Sequence, residues 1–542
     1  MKIEGQIVDP KQRKIFPGSI FIRGGKIDRI EEQSDAPSRY IMPGFVDAHV
    51  HIESSMVLPS RFAEVAVSHG TLATVSDPHE IANVMGREGV DFMISDGNRV
   101  PFRFYFGAPS CVPATPFDNS GAVLGPQEID DLLQRKDIWF LSEMMNFPGV
   151  INSQEDVIEK LRLARKYGKP IDGHAPGLKG KELSRYLEEG ITTDHESFSL
   201  DEAREKIQGG MKIQIREGSA AKNFEALHPL IEEYPDKIMF CMDDCHPDDL
   251  MLGHINKIVK KALQKGHDFF NVIRAAGYTT KEHYGLDVGM LQEGDNADFI
   301  IVDDLKDFPV QQAWIDGRIV YEKGDITWER PQPISINKFV RRDIQSKDIE
   351  VKIEKKAKKI NVIQAIDGEL ITKSFDYPLT QNKGSFSSLP EEDILKIVVV
   401  NRYGKRSPAV GFIRGFGLRN GAIGGSIAHD SHNLIALGVE DEAIVSALNS
   451  LMETGGGIVV SKEEKQHILP LPVAGLMSTD PVSTVAEKHQ DLDRLAHELG
   501  CPLKAPFMTL AFMSLLVIPE LKIGDTGLFD VNQFQYISLF SK

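Results

Sequence analysis

Up to residue 43 the chain alternates short β-branched runs with Gly, Asp and Pro turns, as in GQIVDP, GSIFIRGGKIDRI and RYIMPG, which predicts a small sheet of hairpins. Beyond it the pattern changes. The apolar runs GFVDAHVH, TLATVSDP, FRFYFGAPS, IWFLSEMMN, PIDGHAP, ITTDHES, MKIQIREGS and IMFCMDD read as strands. Between them, segments such as SQEDVIEKLRLARKYG and GKELSRYLEEG carry apolar positions at helical spacing and stop at a glycine. About eight such repeats in roughly 250 residues predict an α/β fold, a closed (β/α)8 TIM-like barrel over residues 44–289. A doubly wound open sheet shares the alternation, but no Gly-rich phosphate fingerprint follows the first strand.

Near residue 290 the hairpin pattern returns in QEGDNADFIIVDDLKDFPVQQAWIDGRIVYEKG. Residues 1–43 and 290–335 are therefore expected to build one small β domain that the barrel interrupts. The polar, basic stretch 336–365, with KIEKKAKK, reads as a linker whose charge run is a solvated face. Residues 366–542 combine ILKIVVVNRYG, the glycine-studded GFIRGFGLRNGAIGGSIAHDSHNLIALG and the helical EDEAIVSALNSLMETGGG, and predict a mixed α and β C-terminal domain.

Composition narrows the function classes. At 542 residues and 41% hydrophobic content the chain has material for several packed cores. A formal charge of -17 sets it against nucleic acid and anionic membrane surfaces as partners. Cys111, Cys241, Cys245 and Cys501 form no CxxC pair, so a thiolate zinc site and a disulfide framework are both unexpected. The N-terminus lacks the apolar core of a signal peptide, and FMTLAFMSLLVI is too short to span a bilayer, so a cytoplasmic protein is expected, with that run a buried helix.

In PGFVDAHVHIESS, His49 and His51 lie two apart on a strand and share a face. An isolated HxH is most often a hydrogen-bonded pair. Here, however, His49 and His51 close the first strand, Glu143 lies in the fourth, His174 and His195 close the fifth and sixth, and Asp243 and Asp244 close the eighth. All fall at strand carboxyl ends, the rim on which barrel enzymes build their sites. Four imidazoles with carboxylates and no thiolate suit zinc, iron(II) or manganese(II), and a bridging carboxylate lets two ions share one water.

PGFVDAHVHIESS, DGHAPGL, TTDHES and MDDCHPDD, set within split β flanks, resemble the amidohydrolase superfamily; SDPHEIANVMG and GSIAHDSHN make the chain similar to its adenine deaminase branch over nearly the whole length. The resemblance implies His49 and His51 as ligands of one divalent ion, His174 and His195 as ligands of a second, Glu143 as the bridge and an aspartate of the eighth strand completing the site. Asp243 is favoured, with Asp244 the alternative. It implies Mn2+ or Fe2+, with Zn2+ compatible, and adenine and water as substrates of a homo-oligomeric enzyme. The reaction it implies is attack of a metal-bridging hydroxide on C6, releasing ammonia and leaving hypoxanthine, with Asp243 as proton carrier. Charge builds at N1, and Glu80, Glu196 and Glu217 are the candidate acids there. His79, Arg216 and Ser219 are candidate purine contacts; His254 reads as structural, and His429 and His432 as loop or packing residues. The alternatives are a cyclic amide hydrolase of the dihydroorotase or hydantoinase kind, which would carry a bridging lysine, and an inactive purine-binding relative. A cytidine-type zinc deaminase requires a PCxxC pair that this chain lacks.

Overall fold

The run FVDAHVH forms strand β1, Phe45–His51, and every residue of it is buried, as expected of a parallel strand covered on both faces. It begins a parallel array in which β1 pairs with β2 (Thr71–Ser76), β2 with β3 (Arg103–Ala108), β3 with β4 (Ile138–Met144) and β4 with β5 (Ile171–Gly173). A second parallel run joins β6 (Thr193–Asp194), β7 (Lys212–Arg216) and β8 (Ile238–Cys241). Two seams close the barrel. Asp243–Asp244, just past β8, pair in parallel with Val50 and His51, and the Thr192 N–H donates to the Ile171 carbonyl at 2.9 Å.

The computed structural model describes residues 1–380, 384–463 and 465–541. Val46, Ala48, Val75, Tyr105, Phe140 and Met239 share one barrel core. The outer helices present apolar stripes to the strands; in Glu155–Lys166, Leu161, Leu163 and Ala164 are buried, while Glu155 and Asp156 open the helix and Arg165 and Lys166 close it, complementing its dipole. Both flanks of the barrel contribute to one eight-stranded sheet among the described residues. Tyr40–Met42 is the joint: it runs parallel to the N-terminal strand Lys2–Asp9 and antiparallel to Phe299–Val302 from the far side of the barrel.

The chain divides into two compact units, Met1–His79 with Val90–Cys111 and Leu124–Gln332, and Glu80–Gly89 with Val112–Val123 and Pro333–Lys542. The second unit holds a nine-stranded sheet among the described residues, with helix Asp441–Thr454 packed through Ile444, Leu448 and Leu451 onto Val398, Leu434 and Ala436. Two outcomes differ from expectation. Lys359–Gln364, assigned to the linker, is a strand paired with Lys373–Pro378 and Ala409–Arg414, because Ile360 and Val362 alternate with polar neighbours and supply a buried face behind the charged run. Residues 80–89 and 112–123, counted with the barrel, pack in the second unit instead: Phe117 lies against Phe529, Phe534 and Tyr536, and Asn119 donates to Asp525 at 2.8 Å. Pro506–Ala511 is a short, mostly buried helix, and no helix of the described residues is long and apolar enough to cross a membrane.

Candidate metal centre at the barrel rim

Because the strands run parallel, their carboxyl ends meet at one rim, and six side chains from five strands converge there. The Nε2 atoms of His49 and His51 are 3.2 Å apart, and each lies 3.2–3.3 Å from Asp243 Oδ1. Glu143 Oε1 is 3.3 Å from His51 Nε2, while its Oε2 is 2.7 Å from His174 Nδ1 and 3.2 Å from His195 Nε2. One carboxylate thus faces two imidazole groups with its two oxygens. All of these residues are buried except His174, which is half-buried.

The donor set fits divalent cations. A proton between two imidazole nitrogens satisfies one pair only, whereas an ion with bonds of about 2.0–2.2 Å spaces several N and O donors about 3 Å from one another. Here five of the six quoted separations are 3.2–3.3 Å. Three of the four imidazoles are buried, and without a cation such a cluster would be costly to bury.

Asp243 reaches the cluster because its backbone is left-handed, with φ at 60°, a conformation that aspartate tolerates better than most residues. Burial pushes its carboxyl up, but Arg216, together with His49 and His51, more than reverses this and holds it well below the usual carboxylate range. Asp244 points elsewhere and accepts a hydrogen bond from Ser54 at 2.5 Å. The loop that follows Arg216, the last residue of β7, passes tightly over this turn at Gly218. A Cβ on Gly218 would lie 1.9 Å from the Met242 carbonyl oxygen and 2.3 Å from that of Asp244, both backbone atoms that cannot yield cheaply. Gly218→Ala is therefore expected to displace Asp243, lowering kcat by more than about tenfold with a reduced melting temperature. Unaltered turnover in that variant would contradict the placement.

The other residues singled out by sequence separate into those at the rim and those away from it. His79 is buried beside the cluster, its Nδ1 3.0 Å from Asp77 Oδ2 and 3.6 Å from Glu143 Oε1, its ring edge-on to His51. Glu196 lies 3.5 Å from His195 Nε2 and 3.7 Å from His174 Nδ1. Arg216, expected at the purine edge, instead donates to both Glu196 oxygens at 2.6 and 3.0 Å, to Asp243 and to the Ala221 carbonyl. Burial works against its charge, but Glu196 and Asp243 hold the guanidinium above its ordinary value. Glu217 pairs with Lys261 at 3.0 Å, and the Ser219 hydroxyl donates to Asp249 at 2.7 Å. In the second unit Glu80 is clasped by the HDSH pair, with His429 Nδ1 2.8 Å from its Oε1 and His432 Nε2 against its Oε2; the His429 ring stacks on Phe512.

Two contributors were missed by sequence reasoning. Asp77 orients His79, and it stands two residues before it in SDPHE, a spacing that could have marked it. Lys206, fully buried, donates to Asp194 at 2.9 Å, Glu202 at 2.8 Å and the Ala175 carbonyl at 2.7 Å, tying the loop after His174 to the strand end that carries His195. Nothing in a helical lysine of LDEAREKIQ distinguishes it from a solvated one.

A (β/α)8 barrel with imidazoles and a shared carboxylate at its rim defines a metal-dependent hydrolase of the amidohydrolase family, whose model matches residues 40–320. A second model, the adenine deaminase C-terminal domain, matches residues 369–535. The chain belongs to the adenine deaminase family. It is 54% identical to an adenine deaminase of Methanosarcina mazei over all of this chain and 99% of that one, and 50% identical to that of Salinibacter ruber over 99% and 98%. The adenine deaminase of Borreliella burgdorferi is 46% identical over 99% of both. A solved β-aspartyl dipeptidase from Fervidobacterium islandicum AW-1 is 14% identical with a TM-score of 0.45, covering 61% of this chain and 99% of that one.

Proposed function

We propose that this chain hydrolyses adenine to hypoxanthine and ammonia at the barrel rim. The observation that carries the reading is Glu143, whose two oxygens face separate imidazole groups in a chain about half identical to adenine deaminases along its whole length. His49, His51 and Asp243 would hold one divalent ion and His174 and His195 a second, with Glu143 shared between them; Mn2+ and Fe2+ suit this nitrogen and oxygen set. When bound, such ions would lower the pKa of water far below its bulk value and so supply a nucleophile near neutral pH.

The chain's own residues then manage protons and orientation. Hydrolysis at C6 breaks the carbon–nitrogen bond, and the two protons of water end up on N1 of hypoxanthine and on the departing ammonia. Asp243, ionised and held at the rim by Arg216, is the base placed to carry them. Of the three glutamates considered for the purine ring, Glu196 is the one at the imidazole cluster; as a carboxylate it accepts a purine N–H, and Arg216 fixes its direction. His79, oriented by Asp77, lines the same rim. The cytoplasm fits a chain whose four cysteines are all free and buried.

Protein loaded with Mn2+ or Fe2+ and assayed for ammonia release from adenine and adenosine, and for ring opening of dihydroorotate, tests the reading. Adenine alone is expected to turn over. Dihydroorotate hydrolysis with no reaction on adenine would instead favour a cyclic amide hydrolase.

A further inference from the structure

Two ligand-bearing strands are irregular where the ligands sit. The pairing of β1 with β2 slips between Asp47 and Val50, around His49. β8 ends its pairing with β7 at Cys241, and the chain resumes pairing with β1 at Asp243, so Met242 falls between two ladders. The backbone N–H groups of His49 and Met242 therefore need another acceptor. Both find the same atom: Asp47 Oδ1 accepts from His49 N at 3.2 Å and from Met242 N at 3.1 Å.

That carboxylate is completely buried, and one side chain faces its other oxygen. His254 Nε2 lies 3.1 Å from Asp47 Oδ2, a close polar contact that is not aligned as a hydrogen bond, and His254 Nδ1 lies 2.8 Å from the Thr71 hydroxyl at the start of β2. Asp47, Thr71 and His254 are all fully buried. With the Thr71 hydroxyl donating to Nδ1, the imidazole carries its proton on Nε2, the nitrogen nearer the carboxylate. The ring is fixed edge-on against Phe62, and the His254 N–H is held by Asn256 at the start of helix Ile255–Gln264.

We propose that His254 is a positioning residue for the metal centre: acting through Asp47, it fixes the backbone at His49 and Met242, and thereby the direction of the His49 imidazole and of the adjacent Asp243 carboxylate. It touches neither ion nor substrate. The inference rests on the reading of the rim as a divalent-cation site, and partners of this kind, one step behind the ligands, typically change metal affinity by about 10–100-fold when removed.

The test is Mn2+ binding to metal-stripped full-length protein, followed by EPR of free Mn2+, with kcat and KM for adenine measured at saturating metal. His254→Phe keeps an aromatic ring against Phe62 and removes both nitrogens. It is expected to weaken Mn2+ binding about 10–100-fold and lower kcat with KM little changed; His254→Gln, which keeps a donor toward Asp47, should restore binding close to the wild-type value. Wild-type Mn2+ affinity and kcat in His254→Phe, with only the melting temperature lowered, would show that the residue merely packs and overturn the proposal. Should that variant not fold, Thr71→Val decides: weakened Mn2+ binding supports the relay, and unchanged binding and turnover overturn it. A wild-type chain that takes up no Mn2+ overturns both this role and the cation site on which it rests.

Discussion

A Glu143→Gln chain is expected to lose adenine deamination by roughly 10^3-fold or more, because the residue's two oxygens face both imidazole groups and the ions they would help hold would supply the nucleophilic water at neutral pH. The substitution keeps the volume of the side chain and leaves an amide in place of the charge. An amide nitrogen then faces either His51 or the His174 and His195 pair, where Glu143 now offers oxygen to both sides. At least one ion should be lost from each chain. The fold should persist, since Phe140, Val75 and the other core residues of the barrel are untouched. Metal content and ammonia release measured on the same preparation check this; a Glu143→Gln variant with full metal and full activity would contradict the bridging role.

The second large effect is expected at Asp243. Asp243→Asn should lower kcat by about 10^2–10^4-fold, the usual contribution of a positioned acid–base group. His49, His51 and Glu143 all remain, so most of the metal should be retained, which separates this variant from the one at Glu143. Arg216 keeps its bidentate partner Glu196, so the guanidinium is not left buried without a counter-charge and the barrel should remain stable. Asp244→Asn serves as the control, because its carboxylate turns to Ser54 and its loss should cost little turnover. Equal losses at the two positions would contradict the assignment of Asp243 as proton carrier.

Much of this is legible along the chain. Period two in VDAHVH places His49 and His51 on one face, and the alternation of strands and helices forces every strand end onto one rim, so side chains from the first, fourth, fifth, sixth and eighth strands meet without any local signal saying so. The choice between Asp243 and Asp244 is not legible, because it turns on a left-handed backbone at Asp243 that strand periodicity cannot foresee. Arg216 reads as a ligand for the purine because its carboxylate partners stand 20 and 27 positions away, past the ends of the two neighbouring strands. The pairing of His432 with Glu80 spans 352 positions, and nothing in HDSHN announces an acidic partner. Likewise His254, at the start of an ordinary amphipathic helix, carries no mark of its contact with Asp47. The excursions at 80–89, largely helical, and 112–123 escape for a related reason: segments of ordinary composition find their apolar partners, as Phe117 does, only in the folded chain.

The most direct measurement is a titration of metal-stripped protein with Mn2+, following bound metal and ammonia release from adenine together. Activity is expected to be absent at the start and to rise to its maximum only as two ions per chain are bound, with the Glu143→Gln variant failing to reach that occupancy. Full turnover of adenine by the stripped protein, or activity that rises without metal being taken up at the rim, would contradict a metal-dependent centre.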